Sequence, residues 1–305
     1  MDCTITKETI FPIRIELFNN TAIQDFYVFN TRESNCYIVD KDINVISEIT
    51  FPYKRVGNTA IHKNGELIYI SGDDNKLHLY NQSGDEIKNV DGSYIGLYYK
   101  DYLYAIRRID DNHLSIEVFD DNLTSLFTKT IEDELYRSDV SLGTVPNSNE
   151  IILELMAGQD GCILYFICYE NNDISMKRLR NECYVCPTFN NNDSTKFVCI
   201  DNDDLTINLF DKTSLNKIST YSFDEDSDFG YSLAFIDDTH LIIQQDESYF
   251  NLDTTTMKIE SELTTKNNSS INISDMSYFC LYGKAIVGYF DHEEGCKIAI
   301  INIQE

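Results

Sequence analysis

The sequence predicts an all-β fold built from repeated four-stranded antiparallel sheets, and three observations support this prediction. The chain of 305 residues is rich in strand-forming aromatic residues, with 20 Tyr and 17 Phe, and contains 4 Pro. No segment longer than about ten residues has a 3.6-residue apolar period, so little helix is expected. In addition, a short pattern recurs along the chain, in which an acidic turn precedes an alternating strand that ends in an aromatic residue and Asp or Asn.

The recurrence of this pattern predicts the number of sheets. Clear and weaker copies end at Asp40, Asn81, Asp120, Glu170, Asp211, Asp253 and Asn302. The steps between these ends are 41, 39, 50, 41, 42 and 49 residues, which indicates seven repeats. Repeats of about 40–45 residues with four strands each are typical of propeller blades. The sequence therefore predicts a seven-bladed β-propeller of four-stranded antiparallel blades, with residues 1–305 as a single domain.

The predicted strands follow the repeats in order, separated by Gly, Asn and Asp turns that are typical of up-and-down sheets. The first repeat contains strands at Ile13–Phe18, Asp25–Asn30, Cys36–Asp40 and Asn44–Thr50. The second contains strands at Asn58–His62, Leu67–Ser71, Lys76–Asn81 and Glu86–Val90. The later repeats span Ile95–Thr130, Val140–Leu179, Cys183–Phe223, Tyr231–Thr264 and Ile271–Ile303. Between the third and fourth repeats, Ile131–Asp139 has room for one helical turn.

The two ends of the chain are predicted to share one blade. The last repeat stops after its third strand, and the segment Thr4–Ile10 is a surplus strand at the start. Because an open arrangement of sheets leaves unpaired strand edges, we expect this N-terminal strand to close the last blade.

The second repeat resembles a blade of the WD-repeat propellers. The resemblance covers Ala60-Ile-His-Lys-Asn-Gly-Glu-Leu-Ile-Tyr-Ile-Ser-Gly-Asp-Asp74 and the strand end Leu79-Tyr-Asn81. The chain departs from the family because it has no Trp and no Gly-His dipeptide, and Phe-Asp, Leu-Asp, Val-Asp or Tyr-Asn stands where the family has Trp-Asp. The resemblance therefore implies a diverged WD-repeat-like fold and no specific activity.

Composition limits the classes of partner. The chain has 51 acidic and 24 basic residues, a net charge of −27. Phosphate contacts require clustered Lys and Arg, so neither nucleic acid nor an anionic membrane is expected as a ligand. No apolar run approaches the ~18–20 residues of a membrane helix, and the first residues lack the features of a secretory signal. We therefore expect a cytoplasmic protein, monomeric on its own, with a basic protein as partner.

The cysteines and histidines do not indicate a metal or a cofactor. Nine cysteines at irregular spacing, without a secretion signal, indicate reduced thiols. The single Cys183-Tyr-Val-Cys186 motif lacks the second ligand pair that zinc requires. The acidic segment Asp224–Gly230 begins like a calcium loop, but Phe229 stands where the loop needs Gly, which favours a solvated loop.

The candidate site is an acidic face. If the blades run as in WD-repeat propellers, the turns between second and third strands share one face with the connections between blades. The predicted partner-binding residues on this face are Asp73, Asp74, Asp110, Asp111, Glu132, Asp133, Glu134, Asp203, Asp204, Asp224, Asp226 and Asp228, with Tyr136 and Phe229 as aromatic anchors. Two explanations remain open: Asp is a common turn former, or the concentrated negative potential attracts a basic protein.

The leading functional prediction is a non-catalytic protein-binding propeller. Its specific form is an immunity or inhibitor protein that neutralises a basic toxin, because a toxin that acts on a phosphate-rich substrate is itself basic. The sequence has no Gly-x-Ser-x-Gly elbow, no phosphate-binding Gly-rich loop and no His-Glu-x-x-His motif. The alternatives are a scaffold subunit of a multiprotein complex and a propeller enzyme, such as a lyase or a glycan hydrolase, with residues gathered from several blades.

Overall fold

Short alternating segments form β-strands throughout the described part of the chain. The structure is a computed structural model, and it describes residues 1–11, 15–16, 25–31, 34–54, 56–158, 161–179, 183–190, 195–223, 228–265, 276, 278–282, 285–292 and 295–304. In chain order, the strands are β1 (Asp2–Phe11), β2 (Ile15–Glu16), β3 (Phe26–Thr31), β4 (Asn35–Asp40), β5 (Val45–Thr50), β6 (Val56–Ile61), β7 (Leu67–Gly72), β8 (Lys76–Asn81), β9 (Glu86–Asp91), β10 (Tyr94–Tyr99), β11 (Leu103–Asp110), β12 (His113–Phe119), β13 (Ser125–Glu132), β14 (Asp139–Thr144), β15 (Ile151–Met156), β16 (Cys162–Glu170), β17 (Asp173–Leu179), β18 (Tyr184–Phe189), β19 (Lys196–Asp201), β20 (Thr206–Asp211), β21 (Lys217–Ser222), β22 (Phe229–Phe235), β23 (His240–Gln245), β24 (Ser248–Asp253), β25 (Lys258–Glu262), β26 (Thr264–Thr265), β27 (Tyr278–Tyr282), β28 (Ala285–His292) and β29 (Gly295–Gln304).

Within the described residues these strands make seven sheets, and the chain divides into two compact units. Unit 2 comprises Arg14–Val145 and Asn149–Arg180, and unit 1 comprises Met1–Ile13, Pro146–Ser148 and Asn181–Glu305. Unit 2 holds the sheets β2–β5, β6–β9, β10–β13 and β14–β17, each in sequential order. Unit 1 holds β18–β21, β22–β25 and a third sheet of β1 with β26–β29.

The third sheet of unit 1 confirms the predicted pairing of the chain ends. Strand β1 is antiparallel to β29, from Asp2 opposite Gln304 to Phe11 opposite Cys296. The sequence did not predict β26, which adds two residues in parallel to the outer side of β1. The predicted fold class, a seven-bladed propeller of four-stranded antiparallel blades with an N-terminal strand in the last blade, is confirmed. The single domain over residues 1–305 stays a prediction.

The turns from third to fourth strands explain why the sequence pattern recurs. In the third sheet of unit 2, Asp120 ends this pattern, and its Oδ1 accepts the backbone N–H groups of Asn122 and Thr124 at 2.9 and 2.7 Å. Leu123 then has a φ of 53°, and the pairing register shifts where β13 begins. This geometry is a capped turn followed by a β-bulge.

The same capped turn occurs in other sheets of the described chain. Its capping residues are Asp40, Asn81, Asp211 and Asp253, and the left-handed residues in these turns are Ile43, Gly84, Leu215 and Met257. The side chain of the left-handed residue is buried where it is Ile43 or Leu123. The Asp or Asn of the pattern is therefore required by the backbone of the hairpin.

Apolar clusters lie between consecutive sheets within each unit. In unit 2, one cluster joins β4 to β7 through Ile38 and Ile68, and another includes Tyr69 and Leu103. In unit 1, a cluster joins the β22–β25 sheet to the β27–β29 sheet, with Tyr249 fully buried. Side chains of adjacent sheets therefore cover each other, as the repeat pattern requires.

The helical turn predicted within Ile131–Asp139 is wrong. Strand β13 continues to Glu132, and β14 begins at Asp139. Tyr136 and Arg137 between them both have a φ of 55°, which is the left-handed region and excludes a right-handed helical turn.

We predict that Asp120→Ala lowers the free energy of unfolding by about 1–2 kcal/mol, because two backbone N–H groups lose a charged acceptor. Urea denaturation measures the change. The control is Asp42→Ala at an exposed position, expected to cost less than about 0.5 kcal/mol. Equal destabilisation by both variants would contradict the capping role.

The cap at Asp253 makes stability depend on pH. Hydrogen bonds from the hydroxyl groups of Thr255 and Thr256 and from the backbone of Thr255 lower the pKa of Asp253 from 3.8 to about 2. The carboxylate therefore contributes its full stabilisation above the unfolded pKa and loses it as pH falls towards 2. We predict that the difference in urea midpoint between the wild type and Asp253→Asn narrows between about pH 5 and pH 3. A difference that stays constant over this range would argue against the cap.

Candidate functional site

The predicted site residues separate into two groups, one on each unit. Unit 2 contains Asp73, Asp74, Asp110, Asp111, Glu132, Asp133, Glu134 and Tyr136, and unit 1 contains Asp203, Asp204, Asp228 and Phe229. Asp224 and Asp226 lie outside the described residues.

In unit 2, a loop formed by residues 133–138, which we call the Tyr136 loop, is bonded to the turn between β11 and β12. The backbone N–H of Asp133 donates to Asn112 O at 2.6 Å, and that of Arg137 donates to Asp111 O at 3.2 Å. The turn between second and third strands and the connection to the next sheet therefore lie at the same end of this sheet, as the WD-repeat resemblance implied.

The side chain of Asp133 connects the Tyr136 loop to strand β11. Its side chain is fully buried, and its Oδ2 accepts Arg108 Nη1 at 2.9 Å and the Ser138 N–H and Oγ–H at 3.0 and 2.9 Å. Burial acts to raise the pKa of Asp133, but the hydrogen bonds from Arg108 and Ser138 outweigh it and lower that pKa. Asp133 was predicted to bind the partner; because it is buried, we assign it to the support of the loop.

Tyr136 projects from the loop beside Asp111. It is 57% exposed, and its hydroxyl group donates to Asp111 Oδ2 at 3.3 Å. The Arg137 guanidinium lies 5.7 Å from the Tyr136 ring centroid, and its Nε donates to Asp111 Oδ1 at 2.6 Å. Left-handed residues also occur in the turns of other sheets, but Tyr136 differs from Ile43 and Leu123 because its large side chain is exposed.

The carboxylates around this loop have partners at the surface. Asp110 accepts His113 Nδ1 at 2.8 Å, and Glu134 accepts Arg178 Nη1 at 2.7 Å. Hydrogen bonds from the Asn112 backbone and from His113 lower the pKa of Asp110. Exposed pairs of this kind contribute only about 0–1 kcal/mol, so an incoming Lys or Arg can compete for them. We call Asp110, Asp111, Glu132, Glu134 and Tyr136 the Tyr136 surface.

Asp73 and Asp74 occupy the equivalent turn of the preceding sheet, between β7 and β8. Asp73 is exposed, whereas Asp74 Oδ1 lies 3.0 Å from Nε2 of the buried His78. Nδ1 of the same His78 lies 3.1 Å from Glu86 Oε1. Burial acts to raise the pKa of Asp74, but the hydrogen bonds with the His78 side chain and the Lys76 backbone N–H outweigh it and lower that pKa. The Asp74 carboxylate therefore contacts a buried side chain of its own sheet, and of the two aspartates Asp73 is the one without such a contact here.

In unit 1, aromatic and acidic residues also meet. The rings of Phe223, Phe229 and Tyr231 follow one another with centroids 5.3 Å apart. Tyr231 is 54% exposed and donates its hydroxyl to Asn202 Oδ1 at 2.6 Å, which connects it to the turn of the exposed Asp203 and Asp204. Asp228 is exposed beside Phe229, so this second cluster has the predicted composition.

The sequence did not show which basic residues pair with the carboxylates of the unit 2 group. Arg108, Arg137 and Arg178 lie on three different segments, and only the fold brings them to Asp133, Asp111 and Glu134. Not every tyrosine at this level is available to a partner: Tyr94 is buried and donates its hydroxyl to Glu117 Oε2 at 2.7 Å. Within the described residues, no group of three or more His, Cys, Asp or Glu has the arrangement of a metal site.

Comparison with known proteins identifies the class of fold. The chain is similar to the WD40 β-propeller domain of Doa1, with a TM-score of 0.60 at 13% identity over 99% of this chain and 98% of that one. It is also similar to the β-propeller domain of Myceliophteria thermophila Cps50 (Swd1), with a TM-score of 0.61 at 10% identity over 98% of this chain and 100% of that one. At such identities the comparison shows the fold alone, a WD-repeat-like propeller.

Comparison of the sequence does not assign the chain to a family. No protein-family model matches the chain, and no curated protein matches it. In the described part of the chain, no helix has the length and apolar character needed to cross a bilayer.

We predict that Asp133→Ala lowers the free energy of unfolding by about 3 kcal/mol, because it leaves the partly buried Arg108 without its carboxylate. Glu134→Ala, one residue away and exposed, is the matched control and is expected to cost less than about 1 kcal/mol. Urea denaturation measures both, and hydrogen exchange at the Ser138 amide should accelerate only in Asp133→Ala. Similar values for the two variants would refute the supporting role of Asp133.

Proposed function

We propose that this chain is a non-catalytic protein-binding propeller that binds a basic protein through the Tyr136 surface. The observation that supports this most directly is Tyr136 itself, an exposed aromatic residue whose hydroxyl group donates to Asp111. Tyr and Arg are the residues most often responsible for interface affinity. A rigid set of sheets that displays such a loop is a common arrangement for recognition.

Electrostatics supports a basic partner in particular. The net charge of −27 creates a negative potential that accelerates the association of a cationic protein and opposes that of an anionic one. The ion pairs of Asp110, Asp111 and Glu134 lie at the surface, so a partner's Lys or Arg exchanges with them at little cost.

The specific form of this proposal is an immunity or inhibitor protein. A toxin domain that cleaves a phosphate-rich substrate presents a basic surface, and an acidic protein with aromatic anchors blocks that surface by occupying it. The similarity to the propeller domains of Doa1 and Cps50 supports the fold on which this proposal is built. The toxin partner is supported by the net charge alone.

Charge reversal at the Tyr136 surface tests the proposal. Glu132→Lys with Glu134→Lys is expected to reduce the association rate of a labelled Arg-rich peptide at least about 10-fold at low salt. Tyr136→Ala is expected to leave this rate unchanged and to increase the dissociation rate. Stopped-flow fluorescence anisotropy measures both rates, and a Glu-rich peptide is the negative probe.

A matched control separates the local surface from the total charge. Asp42→Lys with Glu66→Lys changes the net charge by the same amount, but these exposed residues lie in turns at the other end of their sheets. If this control slows association as much as the first pair, the effect belongs to net charge and the proposed surface is wrong. A basic protein that co-purifies from the native host should bind the control variant and be lost from the Glu132→Lys, Glu134→Lys variant.

A further inference from the structure

The side chain of Arg137 lies at the surface and is not part of the structure that holds the Tyr136 loop. The backbone already ties the loop to the turn between β11 and β12, because the Arg137 N–H donates to Asp111 O at 3.2 Å. The buried Asp133 carboxylate holds the same loop through Arg108. The Arg137 side chain is 62% exposed, compared with 22% for Arg108. The Arg137 side chain can therefore move away from its position without opening the loop.

The Arg137 guanidinium contacts a carboxylate and an aromatic ring at the same time. Its Nε donates to Asp111 Oδ1 at 2.6 Å, and its Cζ lies 5.7 Å from the Tyr136 ring centroid. The second oxygen of the same carboxylate, Asp111 Oδ2, accepts the Tyr136 hydroxyl at 3.3 Å. A guanidinium within about 6 Å of a ring centroid and hydrogen-bonded to a carboxylate is the arrangement by which proteins recognise arginine. The chain therefore shows, with its own side chain, which cation fits this part of the Tyr136 surface.

The pair of Arg137 and Asp111 is exchangeable. The Asp111 side chain is 47% exposed, so water reaches both partners. The hydrogen bond to Asp111 and the charge of that carboxylate raise the pKa of Arg137, so the guanidinium stays charged at neutral pH. Exposed ion pairs stabilise a protein only weakly, because water and salt screen them. A guanidinium from another molecule can therefore replace that of Arg137 at small cost.

A lysine does not reproduce these contacts. Its ammonium group is a compact and strongly hydrated point charge, whereas the planar guanidinium stacks on a ring while its N–H groups bind a carboxylate. The position that Arg137 occupies therefore discriminates between the two basic residues.

We propose that Arg137 is an internal pseudo-ligand, which occupies the position that an arginine of the basic partner takes when it binds. The arriving guanidinium displaces that of Arg137 and contacts Asp111 and the Tyr136 ring, while Glu132 and Glu134 attract further basic residues of the partner. This role rests on the proposed function, because it specifies which partner residue the Tyr136 surface recognises. Two consequences follow: removal of the Arg137 side chain strengthens binding, and an arginine peptide binds more tightly than a lysine peptide.

Titration with the labelled Arg-rich peptide, followed by fluorescence anisotropy, tests the displacement. Arg137→Ala is expected to lower the Kd of the peptide about 2–5-fold, because an exposed competing ion pair is lost. Lys41→Ala is the matched control: Lys41 is exposed in the turn between β4 and β5, and its removal makes the same change in net charge. The control is expected to change the Kd less than about 1.5-fold. An equal gain in both variants, or a gain in neither, overturns the proposal.

A double-mutant cycle with Asp111 separates displacement from other effects of the substitution. In Asp111→Asn no carboxylate remains for either guanidinium, so adding Arg137→Ala should change the Kd less than about 1.5-fold. A full gain in this background refutes the pseudo-ligand. Arg137→Gln, which keeps a long polar side chain, is a second variant that should also lower the Kd, and it supplies the measurement if Arg137→Ala fails to fold. Urea midpoints equal to that of the wild type verify the fold of each variant.

A Lys-rich peptide of the same length and charge tests the preference for guanidinium. The wild type is expected to bind the Arg-rich peptide at least about 3-fold more tightly, and Tyr136→Ala should reduce this ratio. Equal affinities of the wild type for the two peptides overturn the proposal. If Glu132→Lys with Glu134→Lys slows association but Arg137→Ala leaves the Kd unchanged, the proposed surface stands and the pseudo-ligand is refuted. If this charge reversal leaves association unchanged, the proposed function itself is refuted.

Discussion

The carboxylate or amide that caps the turn after a third strand is the interaction on which five of the seven sheets in the described chain depend. Asp120 uses one oxygen to accept two backbone N–H groups, and the chain can then place Leu123 in the left-handed region and begin the outer strand. Without the cap, those N–H groups would have to find water, and the turn would lose the interaction that offsets its strained residue. The outer strand of the sheet starts from this turn, so its register depends on the cap.

This constraint explains how much of the fold could be predicted. A side chain that must cap a turn leaves a regular mark in the sequence, and the ends at Asn81, Asp120 and Asp211 were therefore visible and correctly spaced. The repeat ending at Glu170 looked weak for a physical reason. Its hairpin is closed by Asn171 and Asn172 with φ of 52° and 57°, a two-residue turn that needs left-handed residues and no capping carboxylate. Different turn chemistry gave a different sequence pattern.

The candidate site was only partly predictable, because some aspartates are buried and support a loop whereas others are exposed at the surface. The repeat pattern predicts that Asp110, Asp111 and Asp133 lie on one face, but it does not show which of them points inwards. The fold separates them: Asp133 is buried against Arg108, whereas Asp110 and Asp111 remain at the surface with exchangeable partners. The contact between Tyr102 and Tyr169 could not be foreseen either, since these residues are far apart in the chain and meet only when their sheets pack.

The Tyr136 loop lies where the repeat pattern is least regular. The step from Asp120 to Glu170 is 50 residues, longer than the 39–42 of most other steps, and it contains this loop. Residues that every repeat contains are explained by turns and packing. The Tyr136 side chain differs from those of Ile43 and Leu123, which also lie in the left-handed region, because it is exposed and not packed in its unit. An exposed aromatic residue on a connection between regular sheets is typical of residues that bind other molecules, which supports its place in the proposed surface.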